Sequence, residues 1–312
     1  PVSPGKGGDS LLVKKLKGMG IEGQRMPLGK PPLAADVIAR IERWIDEGAR
    51  LDLLTPQAEL ETLAAVGRSR KLSHDELKQV RFQAGRGLWY RAIPDEKATV
   101  IDRGDVSVIG NLSAGRMEEL ADAAETADRW LREEAFGGKQ PVVKGGVVAY
   151  GFAQGYDLSS FWQTVFSEER PKGVATAAGI SGDVAYAAIT PPTGDKGKAD
   201  GSARGRTGAG KSATGKSDEA ADFRALLTEQ MTAVALISRG VPPWFAKGAG
   251  RAAAMKAEPK AAVVEAWRRD LPGALQRSGS PADFFSGQGD PVAAAGVGGG
   301  FAAALLPSLG KL

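Results

Sequence analysis

Glu229 lies in the run ALLTEQMTAVAL, with Thr228 directly before it and Thr232 three residues after it. A helix places positions i and i+4 on one face, where two histidines grip one zinc ion and the carboxylate between them acts as general base. Threonine hydroxyls supply no nitrogen lone pair to such a metal. The chain holds one histidine, His74, so a two-histidine zinc site has no second member among its 312 residues. His74 sits in SHDELKQV, within a helix cap and not beside a nucleophile, so a Ser/His/Asp triad is not expected either. A solvated surface histidine is the expected role. Cysteine is absent, which removes disulfides, thiolate metal sites and cysteine nucleophiles.

Two further patterns could do chemistry. Gly205, Gly210, Lys211 and Ser212 satisfy the phosphate-loop pattern G-x-x-x-x-G-K-[ST], and it recurs at Gly210, Gly215, Lys216 and Ser217. That motif works by wrapping backbone N–H groups around phosphate between a buried strand and a helix. The preceding residues, KGKADGSAR, offer no strand, and recurrence follows from a composition of G, K, S, T and A. No nucleotide partner is expected. Met26, in the loop GQRMPLGKPPL, carries a soft thioether that either fills a gap in a small core or ligates a soft metal.

These residues need elements to hold them. In residues 1–50, Asp9 or Ser10 can cap LLVKKLKG, which ends at Gly18; a proline-rich loop follows. AADVIARIERWIDEGA then sets Val37, Ile38, Ile41, Trp44 and Ile45 on one helical face, with Gly48 placed to stop it. Residues 51–103 read as a helical connector, with Thr55-Pro56 starting one helix and a Ser73/Glu76 capping box starting another. Residues 104–192 alternate strand and helix. Strands are expected at DVSVIGN, VVKGGVVAY and DVAYAAIT, with Ser113 and Asp157 capping the helices between them. Together with the helix around Glu229 this predicts an α+β layer.

Residues 193–221 contain no apolar side chain larger than alanine and are expected to be a disordered insertion before the Glu229 helix. The length suits two or three domains, and 42% hydrophobic with 25% charged residues is ordinary for globular protein. Much of the net charge of +4 lies in the 193–221 segment, which points to a basic tether and away from a nucleic-acid face. The start of the chain shows no apolar signal-peptide core, and no apolar run reaches the ~18 residues that span a bilayer. Ala293–Leu306 reads as a buried core helix.

Residues 104–312 resemble a degenerate gluzincin zinc-peptidase domain. The family pattern is L-x-H-E-x-x-H-x-L followed by P-x-W-x-x-E-G-x-A; this chain has LLTEQMTAVAL and then PPWFAKGAGRA. Thr228 and Thr232 take the two histidine positions, and Lys247 takes that of the third-ligand glutamate. Glu229 alone keeps its place, as general base, while Trp244 and Gly248 match the second motif. The resemblance implies the architecture without the hydrolysis. It makes DVAYAAIT the substrate-pairing edge strand, on which a peptide or protein partner could add by β-augmentation. It also lets Lys247 pair with Glu229 across the former cleft.

Residues 1–50 resemble the C-terminal half of planctomycete-type cytochrome c domains. The matching motifs are PGKGGDSLLVKKLKG, the R-M-P context of Met26 and the amphipathic helix with its internal tryptophan. That resemblance makes Met26 the distal axial ligand of a haem c, with the C-x-x-C-H attachment motif lying upstream of Pro1. It implies an electron-transfer role as the alternative to a binding module, and a periplasmic or cell-envelope location. The half-domain is expected to leave the face of Val37, Ile41 and Trp44 without a partner.

Overall fold

The structure, a computed structural model, describes residues 2–50, 60–138, 140–191 and 214–277, together with Gly296 and Gly299. The chain divides into two compact units, Pro1–Glu59 and Leu60–Leu312. The fold is α+β, with nine α-helices and one mixed five-stranded sheet among the described residues.

The first unit holds α1 (Leu11–Lys17) and α2 (Ala35–Asp46). α1 stops at Gly18, which adopts the left-handed conformation that glycine takes without a Cβ penalty. Val13 and Leu16 of α1 pack against Ile38 and Ile45 of α2, with Ile41, Trp44 and Leu33 around them. The face expected to stand without a partner is therefore partly covered, by α1. Ties between loop and helix reinforce it: the Gly7 N–H donates to Asp46 at 2.6 Å and Trp44 Nε1 to the Arg50 carbonyl at 2.9 Å.

The second unit opens with α3 (Leu60–Lys71) and α4 (His74–Ala92). The Ser73/Glu76 capping box forms as its sequence predicts. Both helices belong to this unit, and α4 lies on the sheet. Gly85 permits that approach, since a Cβ there would meet Val148, and its carbonyl accepts from the Tyr150 hydroxyl at 2.8 Å.

The strands are β1 (Thr99–Arg103), β2 (Val106–Gly110), β3 (Val147–Gly151), β4 (Thr176–Ser181) and β5 (Val184–Ile189). Their order is β1-β2-β3-β5-β4, with β2, β3 and β5 parallel and each edge strand antiparallel to its neighbour. Two strands, β1 and β4, are additional to the three expected. Each is joined to its successor by Gly-Asp, at 104–105 and 182–183, with the glycine at positive φ. A two-residue turn with glycine first is a hairpin signal, and it recurs here as R-G-D-V and S-G-D-V. β5 is flanked on both sides, so it is not the edge strand of the sequence reading. A peptide cannot add to it.

Between the strands lie α5 (Ala114–Trp130), extended by a π-helical turn Leu131–Ala135, and α6 (Gly155–Phe166). Asp157 falls inside the first turn of α6 and does not cap it. Fully buried, it accepts from Asn111 Nδ2 at 3.0 Å instead. The chain continues through α7 (Thr214–Ile237), α8 (Pro243–Ala257) and α9 (Ala262–Arg277). Residues 214–221, expected to be disordered, form the first turns of α7. The rest of that segment, the Thr55-Pro56 helix start and nearly all of Ala293–Leu306 lie outside the described residues.

Strand alternation sorts the core into two faces. Val106, Val108, Ala149, Ala185, Ala187 and Ile189 face α5 and α7. Ile109, Val148, Tyr150 and Tyr186 face α4 and α6, where Trp89, Phe152 and Phe161 complete an aromatic cluster. Small residues on the first face bring α7 close to the sheet.

Candidate functional site

α7 carries the residues that the sequence singles out, and Thr228, Glu229, Gln230 and Thr232 are all buried on it. Thr232 donates its hydroxyl to the Thr228 carbonyl at 2.6 Å, so its polar group is satisfied within the helix. Glu229 reaches across to α8. The helices approach closely where they cross, because a Cβ on Gly250 would overlap the Glu229 carbonyl oxygen. One residue on, Arg251 Nε donates to Glu229 Oε1 at 2.5 Å. The Arg251 guanidinium also lies over the Trp267 ring, 3.9 Å from its centroid. Both side chains are nearly sealed from solvent, 11% exposed for Arg251 and 4% for Glu229. Glu229 Oε2 has no hydrogen-bond partner among the described residues.

The sequence reading pairs Glu229 with Lys247, whereas the structure pairs it with Arg251, one helical turn further along α8. The chemistry of the two cations explains the choice. A guanidinium is weakly hydrated and stacks on an aromatic face, which suits a buried pair beside Trp267. An ammonium is strongly hydrated. Burial pulls Lys247 below the usual lysine pKa, opposed by the attraction of Glu229, and Lys247 makes no ion pair among the described residues. Arg251 is the functional candidate that the sequence reading missed. It is the one long cation in the Ala/Gly-rich run AKGAGRAAAM that is not at a family motif position.

Thr228, Glu229, Thr232 and Lys247 are thus brought together around one helix crossing, with Arg251 added. The set offers one carboxylate, two hydroxyls and two cations. Among the described residues no three His, Cys, Asp or Glu side chains converge as metal ligands would. The carboxylate at the general-base position is committed to a guanidinium.

A second cluster lies at the amino ends of β2 and β3. His74 is not the solvated surface histidine expected, because both ring nitrogens are engaged. Nδ1 faces the Gly145 N–H at 3.0 Å and so must accept, which leaves the proton on Nε2 to be donated to Asp105 at 3.0 Å. Asp105 also accepts from Arg132 at 2.9 Å, and Arg132 donates to Asp128 at 2.5 Å. Burial holds the Asp128 carboxyl above the usual range, while its bond to Asp128 holds Arg132 above its own. His74, Asp105 and Arg132 border an open cleft of about 600 Å³, lined also by Lys144, Ser238 and Arg239. Serine, histidine and aspartate share this cleft, yet they form no triad. The Ser238 hydroxyl bonds the Ala235 carbonyl, and His74 has no nitrogen left to receive its proton.

Met26 belongs to the first unit, where its side chain is 42% exposed and its N–H donates to the Lys15 carbonyl at 3.0 Å. Residues 1–50 contain no histidine and no cysteine, and their methionines are Met19 and Met26. Lys211 and Ser212 lie outside the described residues, and the second phosphate-loop copy runs into α7, so Lys216 and Ser217 are helical. No described helix is long and apolar enough to cross a membrane. Comparison with known proteins finds no matching family model, no matching curated protein and no matching solved structure.

Proposed function

We propose that residues 104–312 form a non-catalytic, peptidase-like module that serves in binding or as a structural support. The observation that carries this reading is the Glu229–Arg251 pair at the α7–α8 crossing. In a zinc peptidase the corresponding carboxylate must be free to take a proton from metal-bound water. Here its Oε1 accepts from a guanidinium held in place by Trp267, in a site almost closed to solvent. The flanking positions offer threonine hydroxyls, one of them turned back onto the helix. Lys247, where a third ligand would stand, adds a positive charge that repels a metal cation. With β5 internal to the sheet, a partner is received elsewhere on the module than along that strand.

Hydrolysis assays on the purified chain with added zinc, using an unfolded protein as substrate, test this reading. No cleavage above background is expected. Cleavage that disappears in Glu229→Gln would overturn it.

A further inference from the structure

We infer that the open cleft beside His74 is an oxyanion-binding site that takes a phosphate or carboxylate group between Lys144 and Arg239. The cleft of about 600 Å³ is lined by three cationic side chains and one acidic one. The charges are not evenly matched. Arg132 is offset by Asp105 and Asp128, and Asp105 is shared with His74. Lys144 and Arg239 donate hydrogen bonds only to neutral carbonyl oxygens among the described residues. Lys144 Nζ donates to Ser69 at 2.7 Å, and Arg239 Nη1 donates to Val142 at 2.9 Å and to Ala235 at 2.8 Å.

Those contacts aim the cations without neutralising them. Arg239 is fixed at three points, by the two carbonyls and by the Phe136 ring 4.6 Å from its guanidinium carbon. Both carbonyl bonds use one nitrogen, so Nε and Nη2 keep their donors with no partner among the described residues. A guanidinium with a pre-oriented edge is the group best shaped for bidentate contact with phosphate or carboxylate. Lys144 contributes a flexible ammonium with two donors remaining, and Gln140 adds a neutral amide. Bonding the Ala235 carbonyl near the end of α7 and the Val142 carbonyl before β3 accounts for one nitrogen of Arg239 and leaves the other two unexplained. The cleft is larger than a bare phosphate ion, which points to an anionic group carried on a small molecule.

Calorimetric titration of the full chain at low ionic strength tests this, with inorganic phosphate in one arm and citrate in the other. Saturable one-site binding is expected in at least one arm, and the stronger arm tells which anion is preferred. Arg239→Gln and Lys144→Gln should each weaken it about tenfold or more, the scale of one lost charge-assisted hydrogen bond. Lys144 is exposed, so its variant keeps the fold even where Arg239→Gln loses its capping bonds. Arg103→Gln removes a cation on β1 that is paired with Glu118, and it should leave the affinity unchanged. The inference is overturned if neither anion binds saturably, or if Arg103→Gln weakens binding as much as Lys144→Gln does.

Discussion

A carboxylate sealed from water is tolerated when a cation and hydrogen bonds replace its hydration; Arg251 does so at Glu229 Oε1, while Oε2 has no hydrogen-bond partner among the described residues. The pair does not add much stability over an apolar replacement of both partners, but losing one partner strands the other. Arg251→Met should therefore destabilise the second unit by about 3–5 kcal/mol, because an unpaired charge remains buried. Glu229→Gln should do similar damage by stranding the guanidinium. The double variant should cost clearly less than the two single costs together, since it removes the stranded charge as well as the pair. Urea denaturation of the four proteins measures this. Additive costs would mean that the two side chains act independently.

At the scale of elements, the α7–α8 crossing depends on Gly250 as much as on the ion pair. Placing a Cβ there drives it into the Glu229 carbonyl, which is backbone and cannot rotate away. Gly250→Ala should thus cost several kcal/mol, at the upper end of the roughly 1–3 kcal/mol usual for overpacking, although alanine is the better helix former. Gly87, on α4 with open space around it, should accept the same substitution at little cost. Equal melting temperatures for wild type and Gly250→Ala would show that the helices do not meet as described.

The sequence was informative about these elements to different degrees. The capping box of α4, the amphipathic α2 and the central strands were readable because each carries a local signal: a cap spacing, a 3.6-residue apolar period, a short β-branched run. β1 and β4 were missed. TVIDR and TAAGIS are short and lack the apolar alternation of a half-buried strand, and only the Gly-Asp turns after them announce hairpins. The first turns of α7 were missed because TGKSDEAA has the composition of a linker, yet Asp222 just beyond is tied to the Val263 N–H at 2.8 Å. Nothing local distinguishes Arg251 from Lys247 as the partner of Glu229; that choice is made by Trp267 on α9. His74 reads as exposed in the sequence for a related reason, since its partners Asp105 and Gly145 stand 31 and 71 residues away.

At the scale of the whole molecule, the second unit places its two charged clusters on different parts of one scaffold. The α7–α8 crossing is closed, and its one carboxylate is paired with Arg251, with Lys247 buried nearby. The cleft beside His74 is open, with Lys144 and Arg239 left unmatched among the described residues. A buried matched pair supports a fold, whereas an open unmatched one invites a ligand. On the two readings proposed above, the closed site is structural and the open site meets solutes. The most direct test is to equilibrate the purified chain with zinc, remove free metal and measure bound zinc by elemental analysis, in wild type and in Glu229→Gln. The predicted result is no stoichiometric zinc in either protein. One zinc per wild-type chain would contradict it.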